Sequence, residues 1–98
     1  MKRRDIGVAL VFHIKDDKDK PLDLTGASRV VLVGRLGTNV FERECAISSP
    51  SDGVVRYVVQ EGDLVDSGRL AMEIRVEYAD GRRLTTSRVE DVVEGSLG

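Results

Sequence analysis

Three kinds of side chain in this sequence could do chemistry: a single histidine, His13, a single cysteine, Cys45, and the acids Asp16, Asp17 and Asp19 set among lysines. A general base needs a proton to take and a partner to orient it. His13 alternates outward from an apolar stretch with no nucleophile assembled beside it, so it reads as a solvated surface residue. A reactive thiol needs an accessible, electropositive niche. Cys45 has Arg43 nearby, but Glu42 and Glu44 flank that arginine, and Cys45 reads as a small core or half-buried residue. The aspartates invite calcium. A helix–loop–helix calcium loop wants glycine at its sixth position and glutamate at its twelfth. Counted from Asp17, those positions hold Leu22 and Ser28, while Lys15, Lys18 and Lys20 neutralise the acids. One cysteine and one histidine fall short of a zinc site. Gly34 and Gly37 follow a strand and open no helix, unlike a phosphate-cradling loop. Catalytic residues, metal and cofactor are all expected to be none.

The elements that would position these residues are strands. Ile6, Val8, Leu10, Phe12 and Ile14 fall on every second residue, which puts them on one face of a strand. Residues 29–35 carry Val30 to Val33 in a β-branched run, and Gly34 and Gly37 loosen its end. Residues 40–47 form a third strand with Phe41, Cys45 and Ile47 on one face, and residues 54–59 a fourth with Val55, Tyr57 and Val59 inward. Leu70, Met72, Ile74, Val76 and Tyr78 repeat the alternation, with Arg69, Glu73, Arg75 and Glu77 toward water. Residues 83–89 form the last clear strand, and residues 90–94 either extend it or add a seventh.

The connections are legible too. In "DKDKPLDLTGA", residues 17–27, the charged part is a turn. Pro21 fixes an extended entry, Leu22 and Leu24 point inward as plugs, and Asp23, Thr25 and Gly26 support the reversal. Residues 60–68 are too short for a stable helix and are expected to form one helical turn capped by Asp63, closed by Gly68, with Leu64 beneath. In "YADGRRL" a two-residue loop would put Arg83 inside. A three-residue loop, Ala79 to Gly81, pairs Val76 with Leu84 and Ile74 with Thr86, so that the apolar faces match. Six or seven strands with short turns predict an all-β fold, a small antiparallel immunoglobulin-like β-sandwich. It should be one domain over residues 1–98, with a core at about 5–90 and a C-terminal tail at 91–98.

Composition narrows the class. The chain has 98 residues, 41 % of them hydrophobic and 33 % charged. That length can bury roughly 60–65 % of the unfolded surface without disulfides or metals. Fifteen basic and 17 acidic side chains leave a net charge of −2, which disfavours nucleic acid as a partner. Four aromatic side chains and no tryptophan disfavour stacking on sugars or unpaired bases. Lys2, Arg3 and Arg4 before an apolar stretch imitate a signal peptide, but Asp5 and His13 interrupt it and no small-residue cleavage site follows, so none is expected. No apolar run approaches the roughly 18 residues of a membrane span.

The order of motifs is informative. "KRRD", an alternating strand, "KPLDLTGA", "DGVVRYVV" and "EGDLVDSGRLAMEIRVEYADGRRLTT" together resemble the N-terminal immunoglobulin-like domain of phage baseplate upper proteins. The matching stretches are Pro21 to Ala27, Gly53 to Tyr57, Asp63 to Gly68, and Asp80-Gly81 through Thr86. Arg4 stands where the family pattern has glycine. The resemblance implies a non-enzymatic virion structural protein of a tail or baseplate, made in the host cytoplasm. Its partners would be other virion proteins and copies of itself, with no membrane and no small-molecule substrate. Two alternatives stay open: a capsid decoration or neck protein, and an adhesion or carbohydrate-binding sandwich. Outward apolar residues (Ala9, Val11, part of the Val30–Val33 run, Val54, Val58) reflect strand propensity or a surface buried in an assembly. The candidate partner-binding residues are Lys2, Arg3, Arg4, Val11, Val31, Val33, Glu90, Asp91, Val92 and Glu94.

Overall fold

The computed structural model describes residues 1–86 and 88–95. The order along the chain is β1 (Ala9–His13), β2 (Ala27–Leu36), β3 (Asn39–Ser49), β4 (Val54–Val58), β5 (Gly68–Tyr78), β6 (Arg83–Thr85) and β7 (Val89–Val93). Every strand pair is antiparallel, in the order β1-β4-β3-β2-β5-β6, with β7 also on β5. β3 belongs to both layers. Its first part, through Cys45, pairs with β2, and Ala46 onward pairs with β4. The sheet therefore folds over along β3 into a small sandwich, with β1, β4 and the end of β3 facing β2, β5, β6 and β7. Pairing β1 with β4 and β2 with β5 is the crossing pattern of an immunoglobulin-like sandwich.

The core is built as the alternation predicts. Val30, Leu32, Leu36, Phe41, Val55, Tyr57, Val59, Leu70, Met72, Ile74 and Val76 meet in one buried cluster that also takes Ile14, Leu24 and Leu64 from the connections. Fully burying each such side chain stabilises by about 1.5–3 kcal/mol relative to exposure. Gly34 lies under the Phe41 ring, where any Cβ would collide with it. At Gly53 (φ 69°) a Cβ would come within 2.6 Å of the Ile14 carbonyl oxygen, so the turn into β4 can pack against the end of β1 only without a side chain.

The 17–27 connection is a scaffold. Asp16 Oδ1 accepts from the Lys18 and Lys20 amides at 2.8 and 3.0 Å. Leu22 N donates to the Ile14 carbonyl, Leu24 N donates to that of Pro50, and Leu24 is buried. The Asp80 hairpin has the three-residue loop: Val76 faces Leu84, Tyr78 N donates to Arg82 O, Thr86 N donates to Ile74 O, and Gly81 has φ 93°.

Several expectations need correction. Ile6 does not join the inward face and is 62 % exposed, because Gly7 (φ 84°) turns the chain before β1 begins. Residues 60–64 form a turn with no helix, and Asp63 is a core residue where a cap was expected. Leu84 keeps the predicted register yet is exposed, since β6 is a three-residue edge strand and Leu84 opens on a cavity instead of packing into the core. The stretch read as one strand at 83–89 divides into β6 and the start of β7. Residues 91–93 are no tail: they continue β7 along β5, and Val93 is buried. Glu73, Arg75 and Glu77 are half-buried rather than free in water, because they ion-pair across the sheet face.

Candidate functional site

The predicted partner-binding residues fall into three places. The first joins both ends of the described chain. Met1 N donates to Val92 O at 3.2 Å, Arg3 N donates to Glu94 O at 2.7 Å, and Glu94 N donates to Met1 O at 2.8 Å. Lys2 faces Glu94 in a parallel bridge, and Arg4 N donates to Leu64 O. The basic start and acidic end thus meet within one domain, through backbone. Of the side chains, Glu90 pairs with Arg69 at 3.4 Å and Asp91 accepts from the Val92 amide. Arg3 Nε is buried with no hydrogen-bond partner among the described residues. Arg4 has φ 68°, a left-handed backbone in which glycine is most at ease.

The second place is the outer face of β2, β3 and β5. Val31 is only 2 % exposed, so it is withdrawn as a partner contact. It points away from the core, but its cross-strand neighbours are Glu44 and Arg75. Long charged side chains lay their stems over a valine on a central strand. Arg75 is held there by Glu42 at 2.8 Å and Glu77 at 2.9 Å, and Arg29 reaches Glu77 at 3.5 Å. Hydrogen bonds from Arg75 hold the Glu42 and Glu77 carboxyls below their ordinary pKa. Val33 is half-buried and lines a shallow cavity of about 210 Å³ with Val40, Ala71, Glu73 and Arg88.

The third place is β1. Val11 is 52 % exposed at its centre. The outer face of β1 and β4 holds Ala9, Val11 and His13 beside Val58, Arg56 and Val54, without an acid. Between β1 and the β5–β7 edge lies a cavity of about 540 Å³, whose lining includes Phe12, Ile14, Met72, Ile74, Thr86 and Val89. A second, of about 420 Å³, adjoins it at Leu22, Val76 and Leu84.

A buried polar cluster was missed in the sequence. Asp63 is 1 % exposed. Its Oδ1 accepts from Arg43 Nε at 2.8 Å, and its Oδ2 accepts from the Gln60 amide at 2.9 Å and from the Tyr57 hydroxyl. Arg43 also stacks on Phe41, 5.3 Å from the ring centroid. Burial, reinforced by the Asp63 carboxylate, pushes the Tyr57 hydroxyl up to about 12. Both carboxylate oxygens are occupied, so the cluster clamps the 60–64 turn to β3 and β4. The available signal was Arg43 itself: it occupies the inward position between Phe41 and Cys45, and a charge there requires a buried partner.

The residues first considered for chemistry are dispersed. His13 is exposed on β1. The Cys45 thiol is buried, and burial pushes it up to about 11, so the thiolate is disfavoured at neutral pH. Asp16 is engaged by its own turn, and among the described residues no three His, Cys, Asp or Glu side chains converge to hold a metal. No protein-family model, curated protein or solved structure matches this chain.

Proposed function

We propose that the chain is a non-enzymatic assembly module of a virion, placed in a phage tail or baseplate, and that it acts by binding other subunits. The observation that carries this reading is the β1 side of the molecule, where Val11 stands half-exposed on a strand paired to β4, beside a cavity lined by Phe12, Ile14, Met72, Ile74 and Val89 with Lys15 and Asp16 among its polar lining. Apolar surface held on a rigid sheet is suited to burial against another protein. The motif order adds support. The family pattern puts glycine at position 4, and the backbone there has the positive φ that glycine accepts at least cost. On this reading the chain is made in the host cytoplasm and ends in the particle.

The test is immunogold labelling of purified phage particles from the source strain, with antibody against the folded chain. Label at the tail tip is the expected result. Label on the head or neck would move the module to a capsid or neck position, and particles free of the chain would overturn the virion reading.

A further inference from the structure

We infer that β1 is a docking edge for an extended segment of another polypeptide, added as a strand over the open seam of the sandwich. The segment would carry apolar side chains inward and acidic side chains outward. This inference rests on the assembly-module reading and names the kind of partner.

The backbone supplies the first reason. Val59 N donates to Val8 O and Ile14 N donates to Gly53 O, so the even-numbered positions of this stretch bond toward β4 and the 53–59 segment. Antiparallel pairing alternates, which turns the N–H and C=O groups of Ala9, Val11 and His13 to the opposite side. Among the described residues nothing pairs there: β1 ends the strand order, with β4 as its one neighbour. A row of unpaired amides and carbonyls at strand spacing is matched best by another extended backbone.

Among the described residues the other edges are charged, short or covered. The first part of β3, residues 39–45, pairs with β2 alone and carries Glu42, Arg43 and Glu44. β6 is three residues long and carries Arg83. The free side of β7 is taken by residues 1–3 through Val92 and Glu94. β1 reads Ala-Leu-Val-Phe-His, without the proline, lysine or bulge that natural edges use to repel strands.

The seam chooses the occupant. A strand added to β1 would lie over the roughly 540 Å³ cavity, and its inward side chains would meet Phe12, Ile14, Met72, Ile74 and Val89. Such a space falls within the range of natural ligand sites, about 300–1,000 Å³. A second copy of this chain fits less well. Its own β1 is already paired to β4, so its inward residues would point into its own sandwich and leave the cavity open. Charge sets the outward residues: Arg56, beside Val11, makes no ion pair among the described residues and has no acid near it on β1 or β4.

The probe is a nine-residue synthetic peptide of alternating valine and glutamate, titrated into the full chain by fluorescence anisotropy. Amide hydrogen exchange is followed by NMR. Saturable binding that protects the Ala9, Val11 and His13 amides is expected, with a valine–lysine peptide at least tenfold weaker. Arg56→Glu should reverse that preference. Val11→Pro removes an N–H aimed at the open edge and none in the β4 ladder, and should weaken binding tenfold or more. Should that variant misfold, the same peptide N-methylated at alternate amides should fail against the unaltered protein. Absence of binding, or binding without protection of those three amides, would overturn the inference. So would protection that grows with protein concentration in the absence of peptide, because the occupant would then be a second copy. A chain that fails these tests but labels the particle loses the strand inference alone. A chain that passes them but is absent from particles loses the virion reading alone.

Discussion

Val11 and Val31 are both valines at outward positions of alternating strands, yet one is 52 % exposed and the other 2 %. Val31 sits on central β2, between β3 and β5, under Arg75 and its glutamates. Val11 sits on edge strand β1, beside Arg56 alone. Outwardness on a strand is therefore not availability. The position of the strand within the sheet and the length of the neighbouring side chains decide whether an outward valine is surface or a second, thin layer of core.

Cutting the link between the two layers should have the largest effect. Asp63→Ala removes the acceptor shared by Arg43, Tyr57 and Gln60, and leaves Arg43 on the inner face without its anion. The Tyr57 hydroxyl and the Gln60 amide each lose a buried acceptor, at about 1–3 kcal/mol apiece, while the Arg43 side chain, 35 % exposed, turns to water; the loss is measured as a lower urea midpoint with an unchanged slope. A loss below about 1 kcal/mol would show that the clamp contributes little to the fold. Next, Val31→Ala should destabilise by about 2 kcal/mol, whereas Val11→Ala should stay within about 0.5 kcal/mol. Equal losses at the two sites would break the comparison between the faces. A smaller change is expected from Arg75→Gln, which opens the cover over Val31. Its destabilisation should fall between those of the two valine variants, and high salt should weaken the parent protein more than the variant.

The smallest effect is in pH. Arg75 holds the Glu42 and Glu77 carboxyls below their ordinary value of 4.5 in the folded chain. Their contribution is therefore present above the unfolded pKa and lost as pH falls through the folded one. Thermal midpoints taken downward from about pH 5 should drop on this account, and Arg75→Gln should flatten that limb. Parallel limbs in the two proteins would show that these ion pairs do not sense the folded state.

Much of the strand framework was legible because alternation is a local signal. Residues 70–78 announce their inward face without knowledge of a partner, and the hairpin register followed from matching Val76 to Leu84 across three turn residues. The errors arose where a second element decides the outcome. Ile6 keeps the period but lies before a left-handed Gly7. Leu84 keeps the register but faces an edge. Asp63 resembles a cap because caps are recognised locally, whereas its partner Arg43 lies 20 residues away.

The candidate surface divides in the same way. The basic start and the acidic end were visible as charge, but only the fold brings residues 1–3 onto residues 92–94 and satisfies them through backbone. Val11 was visible as an outward apolar residue, but the seam beside it exists only because β1 and the β5–β7 edge end the strand order without meeting. By itself the sequence determined which side chains face inward along each strand, since that depends on a two-residue period. Tertiary structure alone decided which outward residues remain uncovered and which backbone edges remain unpaired, since both depend on neighbours distant along the chain.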